Sequence, residues 1–324
     1  MQMRLPSLLF LSLVCIFASL QTVAADDYPS RPVKIIVPFG AGGPTDVFAR
    51  AIADELQKSL KQSFVMENRP GAGSIIGTDL VAKSPPDGYM LLMISATQTV
   101  NETLNTKKSF QMLRDFVAVA PVMTSDLVLV VHPSLPVHNV AELLALARAK
   151  PGTINYASSG VGSNYHMAAE LLKHLTGIDI VHVPYKGSTG ARTDILGGQV
   201  QMMFDSVPTM APMIQAGLVR AIATTGKTRS SILPDVPTLA EAGVTGYEAS
   251  LWTGLVAPAG TPPQVVELLN REINKITTRP DIKKSWEAQG AMPLSSSPNE
   301  FQAKIAAEIE KWAKVIKANH IQPY

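Results

Sequence analysis

The stretch VKIIVPFGAGGPTDVFAR, Val33 to Arg50, decides how the rest of the chain is read. Val33, Ile35, Ile36 and Val37 form a short apolar run suited to a strand buried on both faces. Phe39 to Gly43 then offers almost no side chain, which fits a tight turn. Pro44 suits the first helical position, where its missing N–H would have no partner anyway. Asp46 places a negative charge in the first helical turn, where it complements the helix dipole. A strand that feeds a glycine turn and a helix start leaves backbone N–H groups open above the sheet, an arrangement that holds anions.

The same order of parts recurs downstream. The stripe Phe48, Ile52, Leu56, Leu60 carries a helix to about Lys61, and Ser63 to Met66 reads as a strand. NRPGAGSIIG, Asn68 to Gly77, is a second glycine turn leading into a helix that ends by Pro85. Met90 to Ile94 is a strand opening into SATQTVN, Ser95 to Asn101, rich in hydroxyl and amide donors. Phe116 to Val122 and Leu127 to Val131 read as two further strands. Asn139 and Glu142 cap a helix, INYAS is a strand, and SGVGSNYH, Ser159 to His166, leads into another helix. IVHV ends in PYKGST, Pro184 to Thr189, and Gln199 to Phe204 is a strand ending at Asp205. Val207 to Gln215 is helical, and Val219 to Ala223 is a strand. LWTGLVAPAGTP then reads as a strand, and Thr261 to Gln264 and Ser297 to Glu300 as helix starts. The final helix carries the stripe Phe301, Ile305, Ile309, Trp312, Ile316. Alternating strands and helices predict an α/β fold with parallel sheets. No low-complexity linker occurs, so two units would be joined by crossing strands.

A chain of 324 residues, 46% hydrophobic and 17% charged, suffices for one large domain or two ordinary ones. No internal apolar run is long enough to span a bilayer. Met1 to Ala25 has the form of a cleavable secretory signal: Arg4, an apolar run from Leu8 to Leu20, and small residues at Ala24-Ala25. The single cysteine, Cys15, lies inside it. Val14 before it is bulky where a lipidation site wants a small residue, so cleavage is the preferred reading. The mature chain then has no disulfide, no thiolate ligand and no cysteine nucleophile. An exported chain without disulfides suggests a bacterial envelope protein. The 28 Lys plus Arg, Arg4 among them, nearly balance 26 Asp plus Glu, which gives no argument for a nucleic acid or an anionic membrane as partner.

Four strand ends carry similar equipment: Phe39 to Thr45, Ala72 to Ser74, Thr97 to Asn101 and Ser158 to Asn164. Ligands of open α/β sheets bind beyond the carboxyl ends of the strands. The four turns could therefore converge on one cleft, beside Pro184 to Thr189 and Asp205. The donors are backbone amides, hydroxyls and side-chain amides, with Arg69 and Lys186 the only cations at turn tips. This composition suggests carboxylates held by helix N-termini. A turn glycine can equally serve geometry alone, and Tyr185 can either line a cleft or pack behind Pro184.

Enzyme readings fare less well. GAGSIIG has the wrong spacing for a dinucleotide fingerprint, though GAGG with Glu67 beyond it keeps that idea open. No phosphate loop or GxSxG elbow occurs. Ser163, His166 and Asp205 could be drawn as a hydrolase triad, but Ser163 as a helix cap and His166 as a packing residue is the plainer reading. The six histidines include no i, i+4 pair for zinc. No metal, cofactor or catalytic residue is expected.

The segments PFGAGGPTDVFAR, ENRPGAGSIIGTDLVAKSPPDGYML, NYASSGVGSNYHMAAELL, VPYKGSTGARTDILGGQV and LWTGLVAPAGTP resemble, in order, the Bug-type extracytoplasmic solute receptors of tripartite tricarboxylate transporters. The resemblance implies a periplasmic binding protein-like fold of type II, two α/β lobes with a ligand cleft between them. Their expected bounds are residues 26–125 plus 250–324, and residues 126–249. It implies a periplasmic protein, expected to be monomeric, that binds small carboxylates: di- and tricarboxylates, acidic amino acids or aromatic acids. Its partners would be the membrane subunits of a tripartite transporter. A receptor that signals to a sensor protein is also permitted. The ligand-binding positions that follow are Phe39, Gly40, Ala41, Gly42 and Gly43, with Ala72 in the second turn. Thr97 and Gln98 follow the third strand. Ser158, Ser159, Gly160, Gly162, Ser163 and Asn164 form the turn of the second lobe, with Tyr185, Lys186 and Gly187 beside it. Asp205 would receive a ligand amino group, or otherwise be hydrated or bonded to neutral donors. Ser74, and Gln98 to Val100, depart from the family's usual residues.

Overall fold

The computed structural model describes residues 28–185 and 187–322. The expected leader and Lys186 lie outside the described residues. The chain opens with β1 (Val33–Val37), α1 (Pro44–Leu60), β2 (Phe64–Asn68), α2 (Ile75–Ala82), β3 (Met90–Ser95), α3 (Ala96–Leu104) and α4 (Met112–Asp115). The long strand β4 (Phe116–Val131) leads to α5 (Val140–Ala149), β5 (Asn155–Ser158), α6 (Asn164–Thr176), β6 (Val181–Pro184) and α7 (Ser188–Leu196). Then come β7 (Met202–Ser206), α8 (Val207–Gln215), β8 (Arg220–Thr224) and β9 (Ser250–Pro258). The chain closes with α9 (Pro263–Thr278), α10 (Pro280–Glu287), β10 (Ala291–Pro293) and α11 (Pro298–Ala318).

The strands lie in the order β2-β1-β3-β9-β4-β7-β5-β6, with β8 and β10 also on β4. β1 runs parallel to β2 and β3, and β5 parallel to β6 and β7, each joined through helical crossovers. The apolar run expected at Val33–Val37 is therefore a central strand, with Val33, Ile35, Ile36 and Val37 fully buried.

β4 joins the two halves. Its first part, Phe116 to Asp126, pairs with β9, while Leu127 to Val131 pairs with β7 and β8. The sequence reading divided this segment into two strands, Phe116 to Val122 and Leu127 to Val131, on either side of Met123 to Asp126. The structure keeps one strand of 16 residues. Its ladder register shifts beside Pro121, at the kind of irregularity where a missing N–H removes little. The chain returns beside Asp126, where Ser250 enters β9 and Ala249 N donates to Thr225 O at 3.4 Å. A further bridge is made by the last helix: Asn319 Nδ2 donates to Glu170 O (2.6 Å) and Oε2 (3.0 Å) on α6.

The expected stripe of α11 packs on the sheet, with Phe301, Ile305, Trp312 and Ile316 buried. The Phe301 ring lies against Gly254, where a Cβ would stand 2.2 Å from Cζ. Glycine at 254 thus sets how closely α11 approaches β9.

Candidate functional site

Asp46 shapes the first glycine turn. Its Oδ2 accepts from Gly42 N (2.9 Å) and Arg50 Nε (3.1 Å), and its Oδ1 from Arg50 Nη2 and Asn68 Nδ2 (both 2.9 Å). Burial alone would raise this carboxyl's pKa, but the bonds from Arg50, Gly42 and Asn68 outweigh it and hold the group below its usual range. Asn68 Nδ2 also donates to Phe39 O at 3.1 Å. The turn is thus held from beneath by side chains one helical turn and one strand away. Gly42, at φ +78, adopts the left-handed conformation this curl requires. Gly42 N is consumed by the fastening, whereas the amides of Gly40, Ala41 and Gly43 have no partner among the described residues. Phe39 is half-buried and packs against the core.

Ser95 to Asn101 departs from the sequence reading. It is the start of a buried helix, not an open strand end. Ser95 Oγ accepts from Thr97 N (3.2 Å), and Gln98 Oε1 accepts from Ser95 N (2.8 Å), a reciprocal cap. Gln98 Nε2 lies 3.4 Å from Thr78 Oγ1. Gln98 is wholly buried and Thr97 nearly so, so these two expected ligand contacts serve as a helix start. Further along α3, Asn101 Nδ2 donates to Gly73 O at 2.7 Å and ties the second glycine turn down. Ala72 in that turn is exposed and left-handed, at φ +46.

In the other half of the sheet, the Ser158–Asn164 turn is bonded internally. Gly160 N donates to Ser158 Oγ (3.1 Å), Ser163 N to Gly160 O (3.2 Å), and Gly162 N to His166 Nδ1 (3.1 Å). Ser163 caps α6 by accepting from His166 N at 3.3 Å. The first-turn amides of α6, at Asn164 and Tyr165, have no partner among the described residues. Asn164 Oδ1 is buried without a partner among the described residues, and its amide can turn over to present either atom. His166 stacks on His182, ring centroids 4.0 Å apart. Burial, then His182 and Lys173, push its pKa down to about 2. Its ring nitrogen faces Gly162 N and Asp205 faces elsewhere, so the hydrolase triad is not assembled.

Gly162 brings this turn against α3. A Cβ there would stand 2.8 Å from Leu104 Cδ2 and 3.6 Å from Val100 Cγ1, at φ +75. Gly162→Val should keep the fold and weaken ligand binding at least ~10-fold, since strain and contact both oppose this approach. Titration calorimetry beside a circular-dichroism melt checks it; unchanged affinity would remove the approach from the binding step.

Asp205, next to last in β7, is fully buried. Arg192 of α7 grips it through Nε (2.5 Å to Oδ2) and Nη2 (3.1 Å to Oδ1), and Ser206 N donates to Oδ1 at 2.7 Å. The Tyr165 hydroxyl adjoins the same carboxylate; burial and then Asp205 push its pKa up. This corrects the expectation of an amine-receiving or merely hydrated carboxylate, because a guanidinium already neutralises it. Nothing in the 13-residue spacing of the pair announces the contact.

A cavity of about 430 Å³ opens between the halves of the sheet. Gly42 and Phe48 line one wall, Ser206 and Thr209 the other, with Ser125 and Gln289 also in the lining, and no charged side chain among the described residues lines it. The sequence reading missed Ser206. The signal was there, since Ser206 follows Asp205 at a strand-to-helix turn like the others.

Residues 48–321 match the family model described as the tripartite tricarboxylate transporter family receptor. Protein BugT of Bordetella pertussis is 41% identical over 297 residues, covering 91% of each chain. This chain belongs to that receptor family. Among solved structures, R. palustris Rpa4515 with adipate shares a TM-score of 0.85 at 37% identity, covering 92% of this chain and 100% of that one. MatC from Rhodopseudomonas palustris, with bound malate, gives 0.80 at 31%, covering 89% and 100%. The receptor thus has the two-lobed α/β fold of periplasmic solute-binding proteins.

Of the receptor's remaining candidates, Tyr185 packs on α7, half-buried, with its hydroxyl donating to Asp194 at 2.5 Å. Burial, then Asp194, push its pKa up to about 12. Gly187 caps α7 at φ +116. Ser159 is half-buried in its turn, and Ser158 Oγ lies 2.6 Å from His182 Nε2.

Proposed function

We propose that this receptor takes a small carboxylate between its lobes, closes on it without catalysis, and delivers it to the membrane subunits of a tripartite transporter. The observation that carries this reading is two sets of backbone amides without a partner among the described residues, each at a strand-to-helix turn: Gly40, Ala41 and Gly43 after β1, and Asn164 and Tyr165 at the start of α6. Neutral donors at helix N-termini suit carboxylates, and the cavity beside them holds no competing charge. The adipate and malate of the two solved relatives are both dicarboxylates. The lobes would comprise residues 26–125 plus 250–324, and residues 126–249, with the hinge where β4 changes partner. A ligand that touches both lobes binds the closed form better and shifts the population toward it. Export by the leader would place the protein in the periplasm.

The test is a thermal-shift screen against mono-, di- and tricarboxylates, acidic amino acids and aromatic acids. A ligand at a hundred times its Kd should add about 2.7 kcal/mol of stability. A panel without any shift, from protein that mass spectrometry shows to carry no retained small molecule, would sink the proposal.

A further inference from the structure

We infer that the ligand carries no ammonium group: the cleft selects amine-free carboxylates and rejects the matching amino acids. This rests on the carboxylate-receptor reading above and narrows it.

A cleft built of helix N-termini and open N–H donors presents positive potential, so an ammonium held there needs a carboxylate to compensate it. The strand ends bring Asp205 and Asp46 to the cleft, and each is already taken. Asp205 is neutralised by the two-pronged Arg192 bond and receives Ser206 N, with the Tyr165 hydroxyl beside it. Asp46 receives four bonds, two of them from Arg50. Glu170, behind the Ser158–Asn164 turn, accepts from Tyr156 (2.5 Å), Lys173 (2.9 Å) and Asn319 (3.0 Å). Asp126 follows Ser125 on β4, and successive strand residues face opposite ways. Ser125 lines the cavity, while the Asp126 carboxylate lies against Gly226, 2.3 Å from where a Cβ would stand. Asn164 offers an amide without charge. The donors, by contrast, are in surplus, as three amides of the first turn and two of α6 have no partner among the described residues. The balance fits carboxylate oxygens and an uncharged body.

The experiment is titration calorimetry of the exported protein with matched pairs that differ only by an α-amino group: succinate and aspartate, glutarate and glutamate, adipate and 2-aminoadipate, phenylacetate and phenylalanine. In every pair that binds, the amine-free member is expected to bind about 100-fold more tightly, the effect of an uncompensated charge. An amino acid binding within tenfold of its partner, or more tightly, overturns the inference and leaves the receptor reading intact. Silence from both members of every pair, together with silence in the wider carboxylate screen, overturns the receptor reading and this inference with it.

Discussion

Arg192→Met is expected to lower the unfolding free energy by about 3 kcal/mol, and Asp205→Asn in the same chain to restore more than half of that. Asp205 is fully buried while the Arg192 side chain is 21% exposed. Removing the guanidinium leaves a carboxylate inside the protein with, among the described residues, Ser206 N and the Tyr165 hydroxyl as its remaining partners. Breaking one side of a buried pair costs about 3–5 kcal/mol, chiefly because the surviving charge has no compensation. The part exposure of Arg192 puts this case at the lower end. The amide of the double variant carries no charge and can still accept from Ser206 N. Urea unfolding of the three proteins at neutral pH checks this, provided the m-value is unchanged. Equal midpoints for Arg192→Met and the parent would mean that water reaches Asp205 easily, and the inference about amines would lose its footing.

The second large effect is expected at Trp252. This side chain is almost wholly buried where β9 meets α11. Its ring stands edge-on to Phe301, centroids 5.8 Å apart at 89°. Its Nε1 donates to Glu308 Oε2 at 3.3 Å, and Trp312 Nε1 donates to the same oxygen at 2.9 Å. Trp252→Ala should therefore cost about 3–5 kcal/mol, nearly all of it lost burial and cavity, because Glu308 keeps its bond from Trp312. Trp252→Phe should retain most of the packing and lose about 1 kcal/mol, the worth of one weakened hydrogen bond and a smaller ring. Chemical unfolding of both variants separates the two terms. A phenylalanine variant as unstable as the alanine one would place the energy in the indole–Glu308 bond instead.

The local signals in the sequence were strong where a single element explains them. Val33–Val37, Pro44 and the α11 stripe each follow from periodicity or capping chemistry within a few residues. They were weak where one segment serves two partners. β4 was read as two strands because its polar centre, Thr124 to Asp126, marks where it leaves one set of neighbours for another, and strand patterning assumes one environment throughout. α3 was read as an open strand end because Thr97, Gln98, Thr99 and Asn101 look like loop donors. The counter-signal was the spacing of Ala96, Val100 and Leu104, one face of a helix. Gln98 shows the difficulty plainly, for a free amide and a capping amide have the same letter. Asp205 shows it again, since the Arg192 that occupies it comes from another helix, and only the tertiary structure brings the two together. The three glycine-bearing strand-to-helix turns were legible as turns. Which of their amides stay open was not, because Asp46 and His166 each consume one through a contact back from the helix.

Phe48 forms part of the cavity wall, and behind it the Trp286 ring meets it edge-on, centroids 4.8 Å apart at 68°. The chain has three tryptophans, and the other two, Trp252 and Trp312, share Glu308 beneath α11. One chromophore thus stands a single aromatic ring from the cavity, while the other two are buried where α11 meets the sheet. The molecule should therefore carry its own optical gauge: emission that responds to the cavity is expected at Trp286, against a background from the other two.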